Sequence, residues 1–278
     1  MKPLISVCVL TYNHENFIEK SLKGIFSQSI INQCEIIIGD DCSQDSTVKL
    51  MEACLVSCPC EFTLISRTKN IGPGENYFDV ISKARGTYVA YLDGDDCWIE
   101  DQKLEKQIDI FTSRDEIGLV GALPRIFPSQ NKAVINNGHE LWFLTKENLL
   151  YKNKITNSSV VFKLKAFQSA CRELDAKFPE WKVLFLAQDY AIWLMIASKF
   201  VVINMKFECV DVNVQQGTLS RPKDQKKIIK YLKSVLKMKI KFLDYYNVSW
   251  FSINRWKILT RILLIIFVRR LRHLMNKI

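Results

Sequence analysis

Over its first 125 residues the chain repeats one pattern, a short apolar run rich in β-branched residues followed by apolar residues at helical spacing. Leu4–Thr11 carries no charge, as a strand buried on both faces requires. Phe17, Ile18, Ser21, Leu22, Ile25 and Phe26 then recur with a helix period. Glu35–Gly39, Phe62–Ser66, Thr87–Leu92 and Gly118–Leu123 read as further strands. Between them, Val48, Met51 and Leu55, then Phe78, Ile81 and Ala84, then Leu104, Ile108 and Phe111 mark helices, the first capped by Ser43 or Asp45. Strand and helix alternating at this spacing predict an α/β fold, a mixed, mainly parallel sheet flanked by helices. Ligands of such sheets bind beyond the carboxyl ends of the strands, so the residues that follow each strand are the ones to read for chemistry.

Those residues are polar. The first strand ends in Thr11-Tyr12-Asn13-His14, the second in Asp40-Asp41-Cys42-Ser43-Gln44-Asp45, and the fourth in Asp93-Gly94-Asp95-Asp96; Arg67 and Asn70 follow the third. Asp40, Asp41, Asp93, Asp95 and Asp96 would converge on one rim, and like charges so close are costly unless something positive sits among them. Oxygen donors without clustered His or Cys suit a hard divalent ion, Mg²⁺ or Mn²⁺, which binds through one or two carboxylates plus substrate phosphates. The rim therefore points to a phosphate-bearing substrate bridged by a metal. Ser43 and Asp45 serve equally well as turn or capping residues. Three carboxylates in four residues at Asp93–Asp96 exceed what a turn needs. His14 reads as a loop or helix-start residue. No phosphate-cradling glycine motif follows the first strand, which argues against a nucleoside triphosphatase or a dinucleotide oxidoreductase.

Several ordered motifs make residues 4–112 resemble glycosyltransferase family 2, with its GT-A nucleotide-sugar fold. They are Ser6–Asn13, Glu35–Asp41 with Ser43, Asp45 and Thr47, Asn70-Ile71-Gly72, Ala84-Arg85-Gly86, Tyr91–Trp98, and Lys103-Leu104. A looser likeness continues at Thr156–Phe162, an acceptor-side strand, and at Gln188-Asp189-Tyr190, which resembles the motif carrying the catalytic base. The resemblance implies inverting transfer of a sugar from a nucleoside diphosphate, with UDP the expected nucleotide, to an acceptor hydroxyl. It implies that Thr11, Tyr12 and Asn13 line the nucleoside pocket and that Asp41 holds the base. Asp93 and Asp95 form the DXD-type pair, with Gly94 between them. Asp95 is the expected metal ligand, for Mn²⁺ or Mg²⁺. Asp93 lies by the ribose or metal, and Asp96 by the sugar or metal. Asp189 is the expected general base, with a helix N-cap as its competing role.

The chain departs from the family in two places. Where many relatives carry a basic residue after the third strand, it reads Gly72-Pro73-Gly74-Glu75-Asn76, leaving Asn76 or Arg67 for that contact. A Tyr-Arg-x-His segment of some relatives is replaced by Val212-Asn213-Val214-Gln215, with Arg221 as a weak substitute. Two other functions compete: a nucleotidyltransferase, whose basic glycine-rich loop is missing from Thr11–Asn16, and a catalytically inactive nucleotide-sugar binder, which has no need of Asp93, Asp95 and Asp189 together.

Charge divides the chain. Residues 221–278 hold 16 Lys and Arg against Asp224 and Asp244, while residues 1–220 hold 23 against 27 acids. The expected organisation is a GT-A domain over 1–220, with a nucleotide-sugar half (1–115) and an acceptor half (116–220), followed by a basic amphipathic helical tail over 221–278. Apolar residues recur at helical spacing between the lysines from Asp224, and again from Asn254 with Trp256, Leu259, Leu263 and Ile266. An anionic membrane surface is the expected partner, with those four residues buried in it. Two helices packed on the core with solvated lysines are the plainer reading. Nucleic acid is not expected, because no recognition motif accompanies the charge. No apolar stretch reaches the roughly 20 residues that span a bilayer. Nine cysteines, mostly inside apolar runs and without paired metal-ligand spacing, together with a start that leads straight into a strand, suggest free thiols in a reducing cytosol. The expected location is cytoplasmic, peripheral on the inner face of the membrane, with a lipid-linked saccharide as acceptor.

Overall fold

The computed structural model describes residues 2–126, 140–213, 224–249 and 252–275. The chain forms two compact units. The first comprises Met1–Leu144, Ile155–Ser169 and Lys199–Asn213; the second comprises Thr145–Lys154, Ala170–Ser198 and Val214–Ile278. The helices expected as a tail thus fall in one unit with residues 145–154 and 170–198.

The first unit is built on a mixed sheet. In chain order its elements are β1 (Ile5–Thr11), α1 (Ile18–Phe26), β2 (Cys34–Asp40), α2 (Thr47–Leu55), β3 (Glu61–Ser66), α3 (Pro73–Ser82), β4 (Tyr88–Asp93), β5 (Cys97–Trp98), α4 (Lys103–Ser113), β6 (Ile117–Ile126), β7 (Leu141–Phe143), β8 (Val161–Lys163) and β9 (Val201–Val212). The strands lie in the order β3-β2-β1-β4-β8-β6-β9-β5, and β7 pairs with β9. β1, β2, β3 and β4 run parallel; β8 is antiparallel to both β4 and β6, while β6 and β9 run parallel. Every residue of β1 and β2 is buried, including Glu35 and Asp40 of β2, and β1 carries no charge. β3 forms the edge and is largely exposed, with Glu61 on it.

The sequence pattern predicts five strands, and all five form. The structure adds β5, β7 and β9, and it shortens the strand expected over Thr156–Phe162 to β8, preceded by a single 3₁₀ turn at Asn157–Ser159. β8 has three residues, too few for a period to show.

A buried polar hub ties this turn to the sheet. The Gln107 side-chain amide donates to the carbonyls of Val120 (3.0 Å) and Ser159 (2.9 Å), and its oxygen accepts from Lys103 Nζ at 2.7 Å. Lys103 is fully buried, with its ammonium 4.1 Å from the Trp98 ring centroid, and burial pushes its pKa down to about 8.

The second unit contains α5 (Lys146–Tyr151), α7 (Trp181–Leu184), α8 (Gln188–Ala197), α9 (Gln225–Tyr245) and α10 (Ile253–Met275); α6 (Leu164–Lys177) runs into it from the first. Asp224 caps α9 by accepting the Lys226 N–H at 2.8 Å. Seven consecutive residues of α8, Tyr190–Ile196, are buried. In the same unit Tyr245 packs edge to face against both Phe178 and Phe242, which are tilted against each other.

Removing Gln107 leaves two buried carbonyls and one buried ammonium without partners. We expect Gln107→Ala to cost about 3 kcal/mol, the sum of a lost hydrogen bond to a charge and unpaired polar groups. Urea midpoints check this. Lys103→Met made in the Gln107→Ala background should cost less than Lys103→Met alone, because the pair's coupling is already gone.

Candidate functional site

Strand register sets the site. Thr11 is paired with Asp40, Leu10 with Asp93, and Asp40 with Ser66, so the carboxyl ends of four parallel strands finish at one edge. β8 runs the other way, with Ala90 opposite Val161, which brings Asn157-Ser158 alongside the end of β4.

The loops after β1 and β2 are zipped together. Asn13 and Cys42 both adopt left-handed backbone, φ 55° and 68°. Asn13 donates its N–H to Ser43 Oγ (2.9 Å) and accepts the Gln44 N–H on Oδ1 (2.8 Å). His14 N–H reaches Thr47 Oγ1 at 2.8 Å, and Glu15 N–H reaches Asp45 at 3.1 Å. Asp40 holds Ser43 through its N–H (2.9 Å) and hydroxyl (2.5 Å). Asp45 accepts the Thr47 N–H and hydroxyl at the start of α2, while Ser46 occupies the N-cap position without a side-chain cap. Asp40, Ser43 and Asp45 therefore build the loop, in line with the turn-and-cap reading of Ser43 and Asp45. Tyr12 is exposed between them, and Thr11 is buried.

Asp41 is buried, and its two carboxylate oxygens accept the N–H groups of Ile71 and Gly72 at 2.8 and 2.9 Å; Asn70 Nδ2 donates to its carbonyl at 2.9 Å. Its first role is to fasten the segment after β3, a task that the pattern of strand ends does not reveal. Arg67 donates to Asp79 at 2.6 Å. Asn76 is buried in α3 and donates to the carbonyl of Gly39 at 2.9 Å, where a Cβ on residue 39 would fall 2.4 Å from its Oδ1.

The acidic corner lies at the end of β4. Gly94 turns the chain there: its N–H donates to the Leu10 carbonyl at 2.7 Å, and a Cβ would fall 2.9 Å from that oxygen and from Thr11 Cβ. Asp93 accepts from the Tyr91 hydroxyl at 2.6 Å. The Ser158 hydroxyl donates to Asp96 and lies 3.3 Å from Asp93, and Asp96 also accepts the Asn213 N–H at 2.8 Å. Burial, then the neighbouring Asp95, pushes Asp93 up to about 6; burial, then Asp93, pushes Asp96 up to about 8; burial raises Asp95. Burial and mutual proximity thus make these carboxyls hold their protons to higher pH than free ones do. The cations Arg67, Lys20 and Arg125 are engaged elsewhere, with Asp79 and Asp211.

Five buried polar atoms around this edge have no hydrogen-bond partner: Thr11 Oγ1, His14 Nδ1, Arg67 Nη1, Asn76 Oδ1 and Asn157 Oδ1. Burial lowers the His14 pKa against the pull of Asp93, Asp45 and Asp40, so His14 belongs electrostatically to the corner. Orphaned polar groups are rare in folded chains; Thr11, His14, Arg67 and Asn76 sit on the ends of β1 and β3 or in the segments that follow them, and Asn157 in the turn before β8. Among the described residues no set of three or more His, Cys, Asp or Glu is arranged to hold a metal. A hard divalent ion taking one or two carboxylates and completing its shell with phosphate oxygens fits Asp93 and Asp95 on these terms.

Asp189 belongs to the second unit, in the first turn of α8. The N-cap there is Ala187, so Asp189 is not a capping residue. Burial, then Asp189, pushes the Tyr231 hydroxyl up to about 12. The supports of the corner, Tyr91, Ser158 and Asn213, stood in the sequence only as members of the segments Tyr91–Trp98, Thr156–Phe162 and Val212–Gln215, with no such role given to any of them. Val214, Gln215 and Arg221 lie outside the described residues.

Known proteins share this architecture. The structure is similar to Staphylococcus aureus TarS 1–349 in complex with UDP-GlcNAc, with TM-score 0.64, 17% identity, and 93% of this chain and 71% of that one covered. It is similar to the same degree, TM-score 0.64 at 17% identity over 96% of this chain and 70% of the other, to the mannosyltransferase PcManGT of Pyrobaculum calidifontis in complex with GDP-Man and Mn²⁺. The fold is therefore GT-A. In sequence the chain is 24% identical over 223 residues, 79% of its length and 81% of the relative's, to the Escherichia coli UDP-Glc:alpha-D-GlcNAc-diphosphoundecaprenol beta-1,3-glucosyltransferase WfgD. It spans 46% of the length of the mycobacterial relatives that it matches at 32% identity over 161 residues. The model of glycosyl transferase family 2 matches residues 6–174, well over half of the chain, and the chain belongs to that family.

Proposed function

We propose that the chain is an inverting glycosyltransferase that moves a sugar from a nucleoside diphosphate, a UDP-sugar in the first instance, to a hydroxyl of a lipid-linked saccharide in bacterial surface polysaccharide synthesis. The observation that carries this is the acidic corner: Asp93, Asp95 and Asp96 stand together with raised pKa values, and among the described residues no cation forms an ion pair with them. Names of relatives that act on nucleotide sugars and on a diphosphoundecaprenol-linked acceptor support the choice of donor and acceptor class.

In this reading Thr11, Tyr12 and Asn13 line the nucleoside pocket, and Asp41 holds the base through its remaining lone pairs while it keeps the segment after β3 in place. Arg67 Nη1 and Asn76 Oδ1 supply further polar contacts to the donor. Gly94 lets the chain pass close behind the ligand. Asp95 and Asp93 hold Mn²⁺ or Mg²⁺, whose charge stabilises the departing diphosphate. Asp96, fixed by Ser158 and the Asn213 N–H, faces the sugar. Asp189 takes the proton of the acceptor hydroxyl as its oxygen bonds to the anomeric carbon, and the bond from that carbon to the diphosphate breaks on the opposite face. The acceptor is confined to a bilayer, and the basic segment from residue 221 holds the protein on the anionic cytoplasmic face. Among the described residues no helix is long and apolar enough to cross a membrane. An inactive nucleotide-sugar binder would have no need of Asp93, Asp95 and Asp189 together.

A mass-spectrometric screen of nucleotide sugars with a synthetic diphospholipid-linked acceptor tests the function; no product with any donor overturns it. Asp95→Ala should abolish turnover while circular dichroism and the melting temperature report a folded protein, and full activity in excess EDTA refutes the metal.

Asp189→Asn keeps the shape but cannot take the proton, so kcat should fall on the order of 10²–10⁴-fold with donor KM little changed. A lost donor affinity with unchanged kcat would assign Asp189 to the donor site instead.

The raised carboxyls also set a pH dependence. Folded Asp93 and Asp96 bind protons above the ordinary carboxylate range that the unfolded chain has already released. Stability of the metal-free protein should therefore fall as pH rises from about 4 through about 6 and on to about 8. Asp96→Asn should flatten the upper part of that decline, read as melting temperature against pH in EDTA.

A further inference from the structure

α10 carries two apolar faces. Ile258, Leu259, Ile262 and Ile266 are buried, spaced as one helical stripe, within a unit where α10 lies along α9 and touches α5. That stripe is all that a surface helix needs. A second stripe is left open: Trp256, Leu263, Leu264, Phe267 and Val268 are 53%, 49%, 62%, 58% and 38% exposed. Trp256, Leu263, Leu264 and Phe267 stand at i, i+7, i+8 and i+11, one side of the helix. Thr260, at i+4 among them, turns its hydroxyl back onto the Trp256 carbonyl at 2.7 Å, which hides its polarity. The face expected from sequence is thereby corrected. Leu259 and Ile266 are interior residues, and Leu264, Phe267 and Val268 take their place outside.

The charge around this stripe is of one sign. α10 contains no acidic residue; Lys257 stands beside the apolar stripe, and Arg261, 4.7 Å from the Tyr151 ring centroid, borders it. On α9, Lys226, Lys227, Lys230, Lys233 and Lys237 are exposed. Arg255 and Lys239 are the exceptions, both buried, Arg255 paired with Asp244 at 2.6 Å and Lys239 donating to the Tyr151 carbonyl at 3.1 Å. A second copy of the chain would bring two cationic, acid-free faces together. An anionic bilayer offers the complement to both features, headgroups for the cations and acyl chains for the apolar row.

We propose that the outer face of α10 is a membrane-docking surface, with the helix lying in the plane of an anionic leaflet and Trp256, Leu264 and Phe267 as its inserted side chains. The long basic side chains beside them reach up to the headgroups. The proposal rests on the reading that this chain works at a membrane surface, and it names the element and the side that do so.

Deleting α9 and α10 is the wrong test, because Val235, Met238, Phe242 and Leu243 are core residues of their unit. Exposed positions give the right one. The full chain is mixed with vesicles of phosphatidylcholine with or without phosphatidylglycerol, and flotation and Trp fluorescence are read. Binding should require phosphatidylglycerol, fluorescence should shift to the blue, and Leu264→Ser/Phe267→Ser should weaken binding at least tenfold with an unchanged melting temperature. Turnover of a water-soluble acceptor by this variant should equal that of the parent, so failure of the enzyme reading and failure of docking are separate results. Unaltered vesicle binding by the double variant overturns the proposal. So does a vesicle-free dimer, seen by sedimentation, that the same two substitutions dissolve.

Discussion

Everything at the candidate site depends on parallel pairing in a single register. A parallel strand sits about 4.8 Å from its neighbour, and all such strands end on the same side. With Thr11 opposite Asp40 and Leu10 opposite Asp93, polar residues far apart in the chain become near neighbours at one edge. A slip of one residue in β4 would turn Asp93 to the other face and separate Gly94 from the Leu10 carbonyl that it donates to. The apolar residues of β1 and β2 are buried on both faces, and Glu35, the buried acid near the start of β2, is held by the Ser6 hydroxyl at 2.6 Å and by Arg85 at 2.7 Å, which fits only this register.

The edge is expensive to maintain. Three carboxylates stand in four residues, and burial raises each of them. The surroundings answer with neutral donors: the Tyr91 hydroxyl, the Ser158 hydroxyl and the Asn213 N–H. Neutral donors orient these carboxyls without supplying the positive charge that would ionise them fully. Ser158 is itself held from behind, since its carbonyl accepts Trp98 Nε1 at 2.8 Å and the next carbonyl is gripped by Gln107. A rigid pedestal under strained charge is the usual compromise between stability and activity.

What the sequence disclosed was what local pattern encodes. The five strands with clear runs, the helices between them, and the acidic turn at Asp93–Asp96 all stand where they were expected. The family likeness of Lys103 was visible without a reason; the structure supplies one, an ammonium buried against Trp98 and Gln107. Partners brought in by non-local pairing were not visible. Ser158 reaches Asp96 only because β8 runs antiparallel beside β4, and nothing near either residue announces that contact. Asp41 looked like a ligand contact alone, yet both its oxygens already serve the backbone after β3. In α10 helical spacing identified the apolar residues but not their sides, because two stripes overlap on one short period. Leu259 and Leu263 are four apart, yet one is buried and the other exposed.

The zipped loops after β1 and β2 carry a thermodynamic consequence. Asn13 and Cys42 pay for left-handed backbone during folding, and the exchange between Asn13, Ser43 and Gln44 makes the two loops a single rigid piece. Ordering a flexible side chain on association costs about 0.5–1.5 kcal/mol. A ligand settling on this corner meets groups whose freedom is already spent, so its binding entropy is set by its own bonds and by released water rather than by the protein.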